Sequence, residues 1–238
     1  MLKVRVKFSK EGAMKFIGHL DIMRYFQKAI RRANIPIAFS GGFSPHMIMS
    51  FAAPLGVGVT SAGEYFDMEL TDDSLSSKEM ENRLNATMAE GMKVISVRQI
   101  PDGKASACMS LVAAADYTVV FREGKEPSVE WKKGQLEAFF AQDSIEILRK
   151  TKRSEKITDI KPWIYKLELR GDKVWMQLSQ GSVHNLKPEL VMEAFAKFLG
   201  IELEPFALMI HREEVYADRG EEEIPQLVSL EALGDVIV

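Results

Sequence analysis

An α+β fold of two ferredoxin-like lobes with antiparallel sheets is predicted by three features of this 238-residue sequence. Short runs alternate apolar with polar residues, amphipathic helical segments separate them, and the order strand-helix-strand-strand-helix-strand occurs twice. The first copy occupies residues 1–105 and the second, less regular copy residues 115–216, leaving an acidic tail over 217–238. A chain of this length can bury two separate cores.

The first strand has Leu2, Val4, Val6 and Phe8 on one side and Lys3, Arg5 and Lys7 on the other, as a half-buried strand requires. After Gly18 the period lengthens. Ile22, Met23, Phe26, Ala29, Ile30 and Ala33 share one helical face, and Arg24, Lys28, Arg31 and Arg32 share the opposite one. Short strands follow at 35–39 and 64–70, a helix at 76–88, and a strand at 92–100 closed by Pro101. Residues 102–115, rich in small side chains, are a linker or a covering loop. The second copy has a strand at 117–121, a helix at 135–141 and a strand at 145–150. A hairpin over 163–169 and 174–178 turns at Gly171-Asp172, and it supplies one strand more than an ideal copy needs. A helix at 187–199 carries Pro188 in its first turn and Gly200 just past its end, and a strand at 206–214 closes the set.

Composition removes whole classes of function. With 46% hydrophobic and 27% charged residues the chain is an ordinary globular one, which argues against long disordered regions. No apolar run approaches the roughly 20 residues that cross a bilayer, and residues 1–10 lack a signal-peptide core, so a cytoplasmic location with no membrane partner is expected. Cys108 is the single cysteine. It can supply neither a disulfide within the chain nor a thiolate-held cluster, and no metal or cofactor is expected. The formal net charge is only −3, but it is unevenly spread: residues 1–34 hold nine Lys/Arg and two acids, and residues 213–238 hold eight acids and one Arg. That asymmetry predicts a basic surface for an anionic partner.

The segment of residues 40–63 is long, rich in glycine and apolar, with five of the 16 glycines. Loops of this length without secondary structure are usually functional, and its backbone N–H groups, with Ser44 and His46, could hold an anion. It lacks the Lys-Ser or Lys-Thr pair of a phosphate loop. His19 and Asp21 open the first helix. His19 and His46 could meet as general acid–base groups, with Asp21 the remaining catalytic candidate, although their spacing does not require it and no third metal ligand is indicated. A second basic cluster, Arg149, Lys150, Lys152 and Arg153, lies in a stretch with eight Lys/Arg and four acids. Together with Arg24, Lys28, Arg31 and Arg32 it could line a groove for RNA. The sheet face is a poorer RNA platform: the run GEYFDMEL offers one exposed aromatic, Tyr65, and Lys3, Arg5 and Lys7 face Asp67 and Glu69 across the strands.

Residues 16–70, with the motifs GHLD and FSPHM, resemble a bacterial family of radical SAM-linked proteins, a domain of unknown function encoded beside or fused to radical S-adenosylmethionine proteins. Weaker likeness returns at IKPWIYKLEL and LKPELVMEAF. Members typically read SHLD and FSPHP, so Gly18 and Met47 depart from the pattern while His19, Asp21 and His46 match it. The resemblance implies a radical SAM protein as partner. One cysteine cannot supply the three thiolates of a radical SAM cluster, so the chain is expected to be a non-catalytic accessory that binds RNA or a substrate derived from it. The alternatives are a metal-independent endoribonuclease similar to the CRISPR RNA-processing enzymes, with His19 as general acid–base, or a protein–protein adaptor.

Overall fold

A computed structural model describes residues 2–127, 133–150, 155–220 and 225–238. It is mixed α+β, with mostly antiparallel strands and few helices. The chain divides into two units, Met1–Ala113 with Arg212–Val238, and Ala114–His211.

In the first unit, β1 (Leu2–Lys10), α1 (His19–Arg32), β2 (Met49–Phe51), β3 (Thr60–Leu70), α2 (Ser77–Asn85) and β4 (Met92–Gln99) follow one another, and α3 (Cys108–Leu111) ends the run. The sheet order is β4-β1-β3, both pairs antiparallel, with β2 also paired to β3. Alternation on β1 and β3 buries Val4, Val6 and Phe8 with Phe66, Met68 and Leu70, and the apolar stripe of α1 adds Ile22, Phe26 and Ile30. Phe26 sits at the centre, its ring 4.6 Å from Phe8 and 4.7 Å from Phe66. Burial of such rings is the main source of this unit's stability.

The opposite face of the sheet is charged, as the register Lys3↔Glu69 and Arg5↔Asp67 requires. Arg5 is nevertheless 1% exposed, because the segment read as a linker or covering loop does cover it. Its guanidinium holds Asp67 through two bonds of 2.8 and 3.1 Å and donates to the carbonyls of Ser106 (2.7 Å) and Leu230 (3.1 Å). The Cys108 N–H completes Asp67 at 2.6 Å. One buried ion pair therefore pins two covering segments.

The strand expected over 35–39 is reduced to the isolated bridges Ile37↔Leu70 and Phe39↔Met47. Pro36 has no N–H to give to a ladder, and the chain doubles back so that Ala38 donates to Glu69 while accepting from Ile48. The glycine-rich segment then places β2 beside β3, Met49 opposite Met68. The stretch expected as an acidic tail belongs to the first unit. After β10 (Leu208–Asp218), β11 (Leu227–Ser229) pairs with it, Asp235 exchanges backbone bonds with Gln99, and Ile237 packs on the core. Glu231 reaches Lys7 at 3.1 Å, and Glu214 reaches it at 2.7 Å. Burial disfavours the Lys7 ammonium, but these two carboxylates outweigh that and hold its pKa above the ordinary lysine value.

In the second unit β5 (Val112–Phe121), β9 (Lys173–Ser179) and β8 (Ile164–Arg170) form adjacent antiparallel strands, with α4 (Lys133–Phe140) and α5 (Pro188–Phe198). The β8–β9 turn falls at Gly171, whose φ of +65° is a conformation glycine adopts without strain. The strand expected at 145–150 is β6 (Glu146–Lys150), and it pairs with β7 (Glu155–Asp159), which was not expected, in a separate two-stranded sheet.

Candidate functional site

The inward face of the first unit's sheet ends in charge. On β1 the buried series Val4, Val6, Phe8 continues to Lys10, and on β3 the buried series Leu70, Met68, Phe66 continues to Glu64. A register shift between Phe8 and Lys10 adjusts the end of β1, and Lys10 is 2% exposed. Glu64 is engaged by Arg212, itself 1% exposed, through contacts of 2.6 and 2.7 Å from Nη2 and 2.9 Å from Nε. Arg212 also donates to the Ala53 carbonyl at 2.7 Å. Lys10 donates to the Ile17 carbonyl at 2.8 Å, just before α1 begins. Burial, with the Arg212 cation as a further cause, holds the Lys10 pKa below the ordinary lysine value despite Glu64.

Lys10, Glu64 and His19 line a cavity of about 10 Å³, with Phe8, Ile22, Phe51, Ala53, Pro54 and Leu55. The glycine-rich segment and the start of α1 thus converge on one recess. His19 is half-buried, its ring edge-on to Phe51 at 5.4 Å. His46 is elsewhere. It is exposed, its Nδ1 lies 2.8 Å from the Ser40 hydroxyl, and it lines a wider cleft of about 270 Å³ with Lys3, Met49, Asp67 and Lys104. The two histidines line different cavities, so the geometry does not bring them together as an acid–base or ligand pair. Asp21 is exposed and paired with Arg24 at 3.1 Å, and Ser44 is exposed on the loop before His46. Among the described residues no group of three His, Cys, Asp or Glu side chains is placed to hold a metal ion, and no helix is long and apolar enough to cross a membrane.

Arg24, Lys28, Arg31 and Arg32 are all exposed on α1. Among the described residues only Arg24 of these four has a carboxylate within ion-pair range. Two large apolar side chains, Phe16 just before the helix and Leu20 in its first turn, are each 66% exposed, with Lys15 over the Phe16 ring. In the second unit Arg149 lies over the Trp163 ring at 5.5 Å, and Trp163 stacks on exposed His184 at 4.8 Å. The side chain of Lys150, and residues Lys152 and Arg153, lie outside the described residues.

Sequence reasoning missed Lys10, Glu64 and Arg212. The signal was present for two of them, since both occupy the apolar parity of their strands, where a charged residue is costly unless it has a task. Arg212 gave no such signal.

The chain belongs to a bacterial family described as "Uncharacterized protein conserved in bacteria (DUF2344)", whose model matches residues 3–188. No curated protein matches it. Among solved structures it is similar to a chain in a crystal structure of a Cbf5-Nop10-Gar1 complex, at 10% identity and a TM-score of 0.45. The match covers 89% of this chain and 48% of that one, so the chain spans about half the length of its structural neighbour.

Proposed function

We propose that the protein is a non-catalytic, RNA-binding accessory of a radical SAM enzyme, and that α1 is its principal contact with the RNA backbone. The observation that carries the reading is the exposed row Arg24, Lys28, Arg31 and Arg32, three of them without a carboxylate in reach among the described residues. Cations left unneutralised on one rigid helix face are the means by which proteins track phosphates, and the exposed Phe16 ring at its end is suited to stack on an unpaired base. The Arg149–Trp163–His184 stack offers a similar platform in the second unit. The radical SAM partner rests on the resemblance of residues 16–70. We also read each unit as a ferredoxin-like lobe; in the first, the order β4-β1-β3 with β2 on β3 supports this.

The test is binding of a labelled single-stranded RNA pool at low salt. Binding is expected, and Phe16→Ala should weaken it by about 1–3 kcal/mol, the worth of one stacked base. No binding at low salt would remove the reading.

A second reading, an endoribonuclease without metal, is favoured by one observation: His19 shares its cavity with Lys10 and Glu64. It requires cleavage of the RNA pool in the presence of a chelator and loss of cleavage in His19→Ala.

A further inference from the structure

We propose that the polar end of the first unit's core is an oxyanion site, in which Lys10, with His19 and the start of α1, receives a phosphoryl oxygen. Three observations converge on it. Lys10 occupies a core-facing position, 2% exposed, yet among the described residues no carboxylate lies within ion-pair range and the Ile17 carbonyl is its one hydrogen-bond acceptor. The neighbouring carboxylate is already committed, because both oxygens of Glu64 accept from Arg212. Of the two buried cations, Arg212 takes the carboxylate and Lys10 has none within ion-pair range among the described residues, and a buried charge without a counter-charge is costly.

The second observation is room. The cavity that Lys10 and His19 line is about 10 Å³, the space of a single water or one phosphoryl oxygen, and the rest of a phosphate would sit at its mouth. The third is the helix end. α1 is 14 residues long and starts after Gly18, with no side-chain cap on its first amides. An uncapped helix N-terminus carries positive potential, and Lys10 reaches its approach at the Ile17 carbonyl. The lowered pKa of Lys10 is what an ammonium short of negative charge should show.

The phosphoryl group could belong to free phosphate or to an RNA strand running along α1. The second source rests on the function proposed above, and the first does not. The experiment titrates inorganic phosphate, and separately single-stranded RNA, into wild type, Lys10→Met and the triple variant Arg24→Ala/Lys28→Ala/Arg31→Ala. In parallel, the Lys10 Nζ resonance is followed in ¹⁵N-lysine-labelled wild-type protein, so that the result does not depend on folding of Lys10→Met. A Lys10 shift on adding phosphate, with at least tenfold weaker phosphate binding in Lys10→Met, supports a site for the free anion. A Lys10 shift with RNA alone, and tenfold weaker RNA binding in Lys10→Met, supports a site for a backbone phosphate. A Lys10 resonance that moves with neither overturns the proposal, as does a folded Lys10→Met that binds both as wild type does. Loss of RNA binding in the triple variant with phosphate binding intact separates the two proposals: helix and recess are then distinct sites.

Discussion

Replacing Glu64 with Gln keeps the shape of the side chain and removes its charge, so the loss reports the electrostatics of the recess with almost no cavity contribution. Glu64 and Arg212 side chains are 7% and 2% exposed, and their separation is 2.6 Å. Breaking such a buried pair by neutralising one partner costs about 3–5 kcal/mol, because the other charge remains buried and uncompensated. Here the remaining charges are two, Arg212 and Lys10. Against a total stability of about 5–15 kcal/mol the loss is large, and it should lower the melting temperature of the first unit by roughly 10 °C. Trp163 and Trp175 lie in the second unit, so tryptophan fluorescence is a poor probe of this one. Hydrogen exchange of β1 and β3 amides under native conditions reads the first unit directly. Glu64→Met combined with Arg212→Met should recover the part of the loss owed to Arg212, since an apolar pair carries no desolvation penalty, and leave the part owed to Lys10. A Glu64→Gln cost below about 1 kcal/mol, the range of surface pairs, would refute the argument that this charge cluster is buried.

Phe26→Ala should cost about 3–5 kcal/mol in urea unfolding of the first unit, since a fully buried ring packed on Phe8, Phe51 and Phe66 is removed. Cys108 should react with a thiol reagent at pH 8 only as fast as its segment opens, because burial, with Asp67 close by, pushes its thiol up to about 12; immediate stoichiometric labelling would contradict this. Burial raises the Glu231 carboxyl, but Ser96, Lys7 and Arg98 outweigh it and hold the pKa below 4.5. A depressed carboxylate stabilises above its ordinary pKa and ceases to as pH falls through the folded value, so the protection of the 227–233 amides, taken relative to the intrinsic exchange rate at each pH, should fall below about pH 4.5 in wild type. In Glu231→Gln that acid-side dependence should be weakened.

Period and parity made the core legible. The alternation on β1 and the stripe on α1 each follow from a single residue spacing, and Val4, Val6, Phe8, Phe26 and Ile30 are buried as that spacing requires. What was illegible depended on contacts far apart in sequence. Arg5 is on the polar side of β1 and is buried only because residues near 106 and 230 fold over it. Arg212 finds Glu64 across 148 positions, a partnership no local pattern encodes. Residues 217–238 were expected as an acidic tail, but Glu231 meets Lys7, as Glu214 does from the preceding strand, and complementarity between segments so far apart is invisible until they meet. The spacing of His19 and His46 neither required nor excluded a shared site, and only the topology assigns them to separate cavities.

The claim that α1 reads an RNA backbone is tested most directly by the salt dependence of binding. Arg24, Lys28 and Arg31 are exposed on the side opposite Phe26 and Ile30, so replacing all three with Ala empties no part of the core and should leave thermal stability nearly unchanged. Each phosphate contact contributes about −0.7 to the slope of log affinity against log salt for a single strand. The triple variant should bind all RNA sequences more weakly by a similar factor and flatten the slope by about two units. A folded triple variant with the wild-type slope would contradict the account and leave α1 as a solvated surface.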